Sequence, residues 1–277
     1  MSLMLKLLST TLLLSSFVYA NGESEKIEDF LEEKFIENPR LKSVDVKVED
    51  VTPLKRPKEW NAYIIDVKAV LKDKPKQLIN QKMIWFSNGE VITKELTDLA
   101  TGENLLDKVK PKVKSKHYAK SNLIYGNLDA KHKVIIFSDP LCPFCRGFVP
   151  GAIEYMKKEP EKFAIYYYHF PLERLHPASV ALVKAAISAE QKGVKNVVLN
   201  LYKVNINPRE KNITKILAAF NNVEGTNITP KDIMKPEVEK QFKHDRVTAN
   251  DLMVAGTPSV YFDGTIDNTK KKYLKVK

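Results

Sequence analysis

The sequence predicts an α+β chain of two domains. Three features predict it. The first hundred residues carry one helical pattern and then several alternating, strand-like segments. A lysine-rich stretch poor in apolar residues follows. The second half runs strand, helix, strand, a long helical stretch and a late strand. At 277 residues, with 43% hydrophobic and 29% charged, the composition is globular and the length suits two modest cores.

Residues 1–20 read as an export signal. Lys6 supplies the positive start, Leu7 to Val18 the apolar run, and Val18-Tyr19-Ala20 a cleavage site, so the mature chain is expected to start at Asn21. A membrane anchor is the alternative, but the run falls short of the ~20 residues a spanning helix needs. The formal charge of +11 predicts a basic, solvated surface. Export argues against nucleic acid as its partner; anionic lipid or acidic partners are the other options.

Residues 21–105 form the first predicted domain. Ile27, Phe30, Leu31 and Phe35 fall at helical spacing over 24–38, and Pro39 ends the helix. Val44, Val46 and Val48 alternate with Asp45, Lys47 and Glu49, as in a half-buried strand. Tyr63, Ile65, Val67, Ala69 and Leu71 repeat the alternation. Met83 to Phe86 runs into Asn88-Gly89, a strong hairpin signal, and Val91 and Ile92 begin the return strand. Residues 106–124 then read as a basic linker, partly helical and kept in solvent by its charge, with Lys108, Lys110, Lys112, Lys114, Lys116 and Lys120 around Pro111; a loop within a single domain is the alternative.

Residues 125–277 form the second predicted domain. Val134 to Phe137 is a continuous apolar run suited to a strand buried on both faces, and Pro140 ends it. Ala152, Ile153 and Met156 mark a helix, and Phe163 to Phe170 a second strand. Segments 176–191, 193–204, 209–221 and 230–252 read as helices, giving a helical insertion over about 172–252. Val260 to Phe262 is a late strand, turned by Asp263-Gly264.

The chain has two cysteines, Cys142 and Cys145, three positions apart. A bridge between them closes a tiny loop, which contributes about 2 kcal/mol against roughly 4.7 for a hundred-residue loop. Fold stabilisation is therefore a poor reason for the pair; redox or metal chemistry is a better one. Half a zinc site would need two further ligands, and no third cysteine or closely spaced histidine pair supplies them. Placed between strand and helix, Cys142 becomes the helix N-cap and Pro143 the first helical residue. The helix dipole there favours the thiolate, which is the attacking species. Residues three apart at a helix start are close enough to form the Cys142–Cys145 disulfide. Cys142 is then the nucleophile and Cys145, one turn inside, the resolving residue.

The segment Phe137-Ser138-Asp139-Pro140-Leu141-Cys142-Pro143-Phe144-Cys145 resembles the active-site segment of bacterial Dsb proteins, especially DsbC and DsbG. Gly256-Thr257-Pro258 resembles their cis-proline loop. Ser87-Asn88-Gly89 followed by Thr101-Gly102-Glu103-Asn104-Leu105 is similar to the end of their N-terminal dimerisation domain. The resemblance implies a thioredoxin-like domain with a helical insertion, preceded by a small α+β, cystatin-like dimerisation domain. It implies a periplasmic disulfide isomerase or reductase, a homodimer without metal or organic cofactor. Its partners would be unfolded or misoxidised exported proteins and a membrane redox protein of DsbD or DsbB type. Thr257 and Pro258 would bind substrate backbone, with the Thr257 hydroxyl near the Cys142 sulfur. Pro143-Phe144 sits nearer DsbG than DsbC. Tyr168-His169-Phe170-Pro171-Leu172 and His176-Pro177 are instead similar to DsbA sequences, which keeps a disulfide-forming oxidase open. A chaperone with secondary redox activity and a reductant for cytochrome c maturation are two further alternatives. His169 and His176 read as exposed or structural histidines rather than as proton shuttles. Six residues before Cys142, where thioredoxin keeps a buried acid, this chain has Ile136.

Overall fold

The computed structural model describes residues 22–276, so the signal reading of 1–20 lies outside the described residues. The chain divides into two compact units, up to Pro111 and from Lys112. Among the described residues, no helix is long and apolar enough to cross a membrane.

In the first unit, helix α1 (22–36) precedes strands β1 (Leu41–Pro53), β2 (Asn61–Leu71), β3 (Leu78–Ser87) and β4 (Ile92–Thr93). The strands form an antiparallel sheet in sequence order. Helix α1 sets Ile27 and Leu31 against Val46, Tyr63, Ile65 and Trp85. Phe30, expected on this apolar face, is 45% exposed. The stripe that reaches the sheet runs through positions 27, 31 and 35, and Phe35 ends it against the Trp85 ring at 6.3 Å. Polar residues of α1 also bind the sheet. Glu32 accepts from the Val46 N–H at 2.8 Å and Glu28 from the Val48 N–H at 2.7 Å. These donors lie on edge strand β1, where among the described residues no further strand pairs with them. The turn after β3 has Gly89 at φ +87, and Asn88 Oδ1 accepts from the Glu90 and Val91 N–H groups.

The stretch read as a solvated linker is more ordered than expected. It contains 3-10 turns at Leu105–Lys108, Ser115–His117 and Lys120–Asn122 and strand β5 (Leu123–Tyr125). Val109, His117 and Asn122 are buried. The His117 carbonyl accepts from Tyr168 Oη at 2.9 Å, and Asn122 Nδ2 donates to the Tyr167 carbonyl and to Asp245. Between the solvated lysines, the other residues turn inward, so the segment from Lys112 belongs to the second unit.

That unit contains β6 (His132–Ser138), α2 (Pro143–Met156), β7 (Phe163–His169), α3 (Ala178–Gln191), α4 (Val197–Leu201), α5 (Ile213–Glu224), α6 (Pro236–Asp251), β8 (Ser259–Phe262) and β9 (Thr265–Ile266). The sheet order is β5-β7-β6-β8-β9, with β6 and β7 parallel and the other pairs antiparallel. Gly126 turns the chain after β5 at φ +83; a Cβ there would lie 1.8 Å from the Phe163 carbonyl oxygen, so only glycine fits. The middle of β6, Val134 to Phe137, is apolar because both faces are covered. Val134 and Ile136 meet Val149, Ile153 and Met156 of α2. Ile135 and Phe137, with Tyr166, Tyr168 and Tyr261, pack on Ala249 and Leu252 at the end of α6. The insertion has its own core, in which α3, α4 and α5 contribute Leu182, Ala186, Leu201, Leu217 and Phe220.

Candidate active site

Strand β6 ends at Ser138, and a short turn delivers Cys142 to the N-cap of α2 with φ −70 and ψ 123. Pro143 follows as the first helical residue, where its missing N–H costs no helical bond. The Cys142 thiol donates to the Thr257 carbonyl at 3.7 Å. The Thr257–Pro258 bond is cis. Cys142 is 4% exposed and Cys145 0%, and both are free thiols. Phe144 between them is 78% exposed and marks the rim.

Burial pushes the Cys145 thiol up to about 11. The polar groups of Ser138, Thr257 and the Asp139 backbone oppose that rise, in this order. The Thr257 carbonyl faces Cys142, and the Thr257 hydroxyl is buried beside the pair with no hydrogen-bond partner among the described residues. Thr257 reaches Cys142 because the loop before β8 crosses the N-terminus of α2.

The turn itself is held by Asp139, which is fully buried. Its Oδ1 accepts from the Leu141 N–H at 2.7 Å and from Ser179 Oγ at 2.6 Å. Its Oδ2 accepts from the Leu172 N–H at 2.7 Å and faces His176 Nδ1 at 3.0 Å. Arg146, next to Cys145, donates from Nε to the Pro140 carbonyl at 2.8 Å and from Nη2 to the Val204 carbonyl at 2.5 Å. The cysteine turn is therefore tied on two sides to the helical insertion. His176 orients within this framework, and His169 is buried with its ring 5.0 Å from that of Tyr167.

Tyr202 Oη donates to Ser138 Oγ at 2.6 Å and lies 2.7 Å from Tyr167 Oη. Burial raises both phenols above their ordinary values, so both are neutral. Sequence reasoning assigned no role to Ser138, Asp139, Arg146, Tyr167 or Tyr202. Ser138 and Asp139 stand inside the segment that resembles the Dsb proteins, which was a usable signal. Tyr167 and Tyr202 carried none.

The family model described as thioredoxin matches residues 118–277. No curated protein matches the chain. Among solved structures, a thioredoxin-like oxidoreductase from Silicibacter pomeroyi DSS-3 is 20% identical at a TM-score of 0.43, over 60% of this chain and 99% of its own. The thiol-disulfide exchange protein alpha-DsbA2 from Wolbachia pipientis is 18% identical at 0.45, over 58% and 89%. Proteus mirabilis ScsC in a compact conformation is 21% identical at 0.43, over 54% and 73%. The family match takes in more than half of the chain, including both cysteines and the Thr257–Pro258 loop, and on it the chain belongs to the thioredoxin family.

Proposed function

We propose that the chain is a thiol-disulfide oxidoreductase that acts on exported proteins, with Cys142 as nucleophile and Cys145 as resolving residue. The observation that carries this reading is the meeting of Cys142 Sγ, at the start of α2, with the Thr257 carbonyl at 3.7 Å, while Cys145 is sealed behind it. A client strand pairing with the Thr257 backbone would bring its own sulfur to Cys142. In the reducing direction the Cys142 thiolate attacks a client disulfide. One client sulfur leaves as thiolate and takes a proton, and a mixed disulfide remains. Cys145 then loses its proton and attacks Cys142 Sγ. The bond to the client breaks, the electron pair leaves on the client sulfur, and the Cys142–Cys145 disulfide forms. The client gains two electrons and the cysteine pair loses them. The oxidising direction is the same sequence reversed.

Isomerisation or reduction in the periplasm is the preferred direction, with a homodimer formed through the first unit and a membrane donor of DsbD type. The DsbC/DsbG-like cysteine segment, Thr257 before the proline and the preceding α+β unit support it. The second reading is a DsbA-like oxidase served by a DsbB-type protein. The α-helical insertion between β7 and β8 favours it, together with Tyr168-His169-Phe170-Pro171.

The test incubates the full mature chain, reduced or oxidised, with a scrambled-disulfide client and with a fully reduced client. An isomerase recovers native pairing in the first; an oxidase forms disulfides in the second. Loss of both activities in Cys142→Ala is expected, and a Cys142→Ala variant that retains either would overturn the assignment. A double Cys142→Ala, Cys145→Ala variant that still suppresses client aggregation as well as wild type, in a wild type without exchange activity, would favour a chaperone instead.

A further inference from the structure

Helix α2 buries one stripe of residues and leaves the next one open. Cys145, Val149, Ile153 and Met156 face the core. One position further on each time, Arg146, Pro150, Glu154 and Lys157 line a cleft of about 410 Å³. Asn196, Asn200 and Lys203, at helical spacing on and beside α4, form its other wall. Leu199 and Tyr202, both buried, supply apolar surface. The volume suits a bound ligand, and the cleft lies wholly within the second unit.

The charges of the cleft do not cancel. Glu154 is held by Lys157 at 2.6 Å. Arg146 donates to the Pro140 and Val204 carbonyls, and Lys203 to the Asn200 amide oxygen at 2.9 Å. These acceptors are neutral, and a guanidinium has five N–H donors, more than two carbonyls use. Glu224 on α5, to which Asn200 Nδ2 donates at 3.3 Å, offsets one of the two cations. With it counted, the cleft is still positive. Asn196 gives its oxygen to Tyr125 Oη at 2.8 Å, which leaves its NH2 to donate. The surroundings have the same sign: Lys and Arg outnumber Asp and Glu in the second unit, and do not in residues 21–111.

Arg146 follows Cys142 by one turn, and its N–H donates to the Cys142 carbonyl at 3.0 Å. It therefore stands about 6 Å along the helix axis from the nucleophile, and Lys157 about 22 Å. At about 3.3 Å per extended residue, these distances correspond to roughly two and seven residues of client chain. We propose that the cleft is a subsite for an acidic client segment, taking a carboxylate roughly two to seven residues from the client's reacting cysteine. Arg146 and Lys203 attract the carboxylate, and the Asn196 NH2 donates to the client backbone. A cleft between two helices admits an extended chain, whereas a flat lipid surface does not enter it. The subsite acts on the rate of encounter and rests on the exchange reaction proposed above.

The test uses the full mature chain, reduced, and peptides whose single cysteine carries a nitrothiobenzoate group through a disulfide. Attack by Cys142 on the peptide sulfur releases the coloured thiolate, and the second-order rate is read at low salt. The peptides have Glu, Gln or Lys two and four residues from the cysteine on both sides; a further one has Glu only beyond about ten residues. The Glu peptide is expected to react about fivefold faster than the Gln peptide, and the Lys peptide more slowly than either. The Glu-to-Gln ratio falls toward one as salt rises, and the distant-Glu peptide behaves like Gln. Lys203→Glu lowers the ratio about fivefold. Glu154→Gln, which frees Lys157, raises it, and carries the test if Lys203→Glu fails to fold. Lys231→Glu, the same charge change outside the cleft, leaves the ratio in place. A wild-type ratio within about twofold of one would overturn the subsite, as would equal losses in Lys203→Glu and Lys231→Glu. Binding to phosphatidylglycerol vesicles that is lost in Lys203→Glu and kept in Lys231→Glu would also overturn it and give the cleft to lipid. A wild type that releases nothing from any peptide would instead overturn the exchange reaction itself.

Discussion

The Cys145 sulfur shares the apolar cluster of α2 and β6, and burial sets its thiol at about 11. The attacking species is the thiolate, so ring closure is expected to accelerate with rising pH from roughly pH 6 to pH 10, without a plateau. With glutathione placed on Cys142 as a mixed disulfide, its release reports ring closure by Cys145, and a plateau below roughly pH 9 would contradict the burial effect. Cys145→Ala removes the resolving step and is expected to accumulate mixed disulfides with clients, read by non-reducing electrophoresis. Thr257→Val removes a buried hydroxyl that opposes the rise of the Cys145 thiol, which is neutral at neutral pH. The expected effect is therefore several-fold slower ring closure, with the equilibrium constant against glutathione changed much less; a shift confined to that constant would return the hydroxyl to Cys142. Legibility at this scale follows sequence separation. Cys142, Pro143 and Cys145 could be read because their relation is local to one helix start. Ser138 meets Tyr202 at a separation of 64 residues and Asp139 meets Ser179 at 40, and no local pattern encodes such encounters.

Elements are joined here by carboxylates as much as by apolar packing. Asp139→Ala would leave the buried donors of Leu141, Leu172 and Ser179 without their acceptor. A loss on the order of 3 kcal/mol is expected, measured as a lower denaturation midpoint. Because the same carboxylate holds the cysteine turn, exchange should fall even in the fraction that folds. Glu28 and Glu32 do the corresponding work in the first unit. A Glu28→Ala, Glu32→Ala double variant is expected to lose roughly 1–3 kcal/mol of that unit's stability. It should also self-associate through the bared donors of β1, which light scattering would detect. Unchanged scattering and an unchanged midpoint would show that water serves those two N–H groups as well as the glutamates do. Period-two and helical patterns made most of the elements readable. Strand β5 escaped because Leu123-Ile124-Tyr125 is too short to show a period and follows a run of lysines. Its place depends on the Gly126 turn beside Phe163, which is a tertiary contact.

The whole molecule carries two separate cores, and the proposed homodimer assigns them different tasks. The full-length chain is expected to be dimeric at micromolar concentration, and a chain starting at Lys112 monomeric yet able to reduce a small disulfide. A full-length monomer by light scattering would remove the dimer. The two-core organisation was readable from the change in pattern between the halves. The exact boundary was not, because lysine content hides the inward-turning residues between Lys112 and Asn122.

The active site is built from positions 115 residues apart. Synthesis runs from the N-terminus, so both thiols emerge long before the loop and strand that enclose them. Until β8 pairs with β6, Cys145 lacks Val260 and Phe262 from its cluster and is open to any oxidant or passing chain. With two cysteines in all, each has the other as its one internal partner. A wrong bridge during maturation must therefore be to a different molecule. The window in which this chain is most vulnerable to thiol exchange is the interval before the Thr257 loop and β8 arrive.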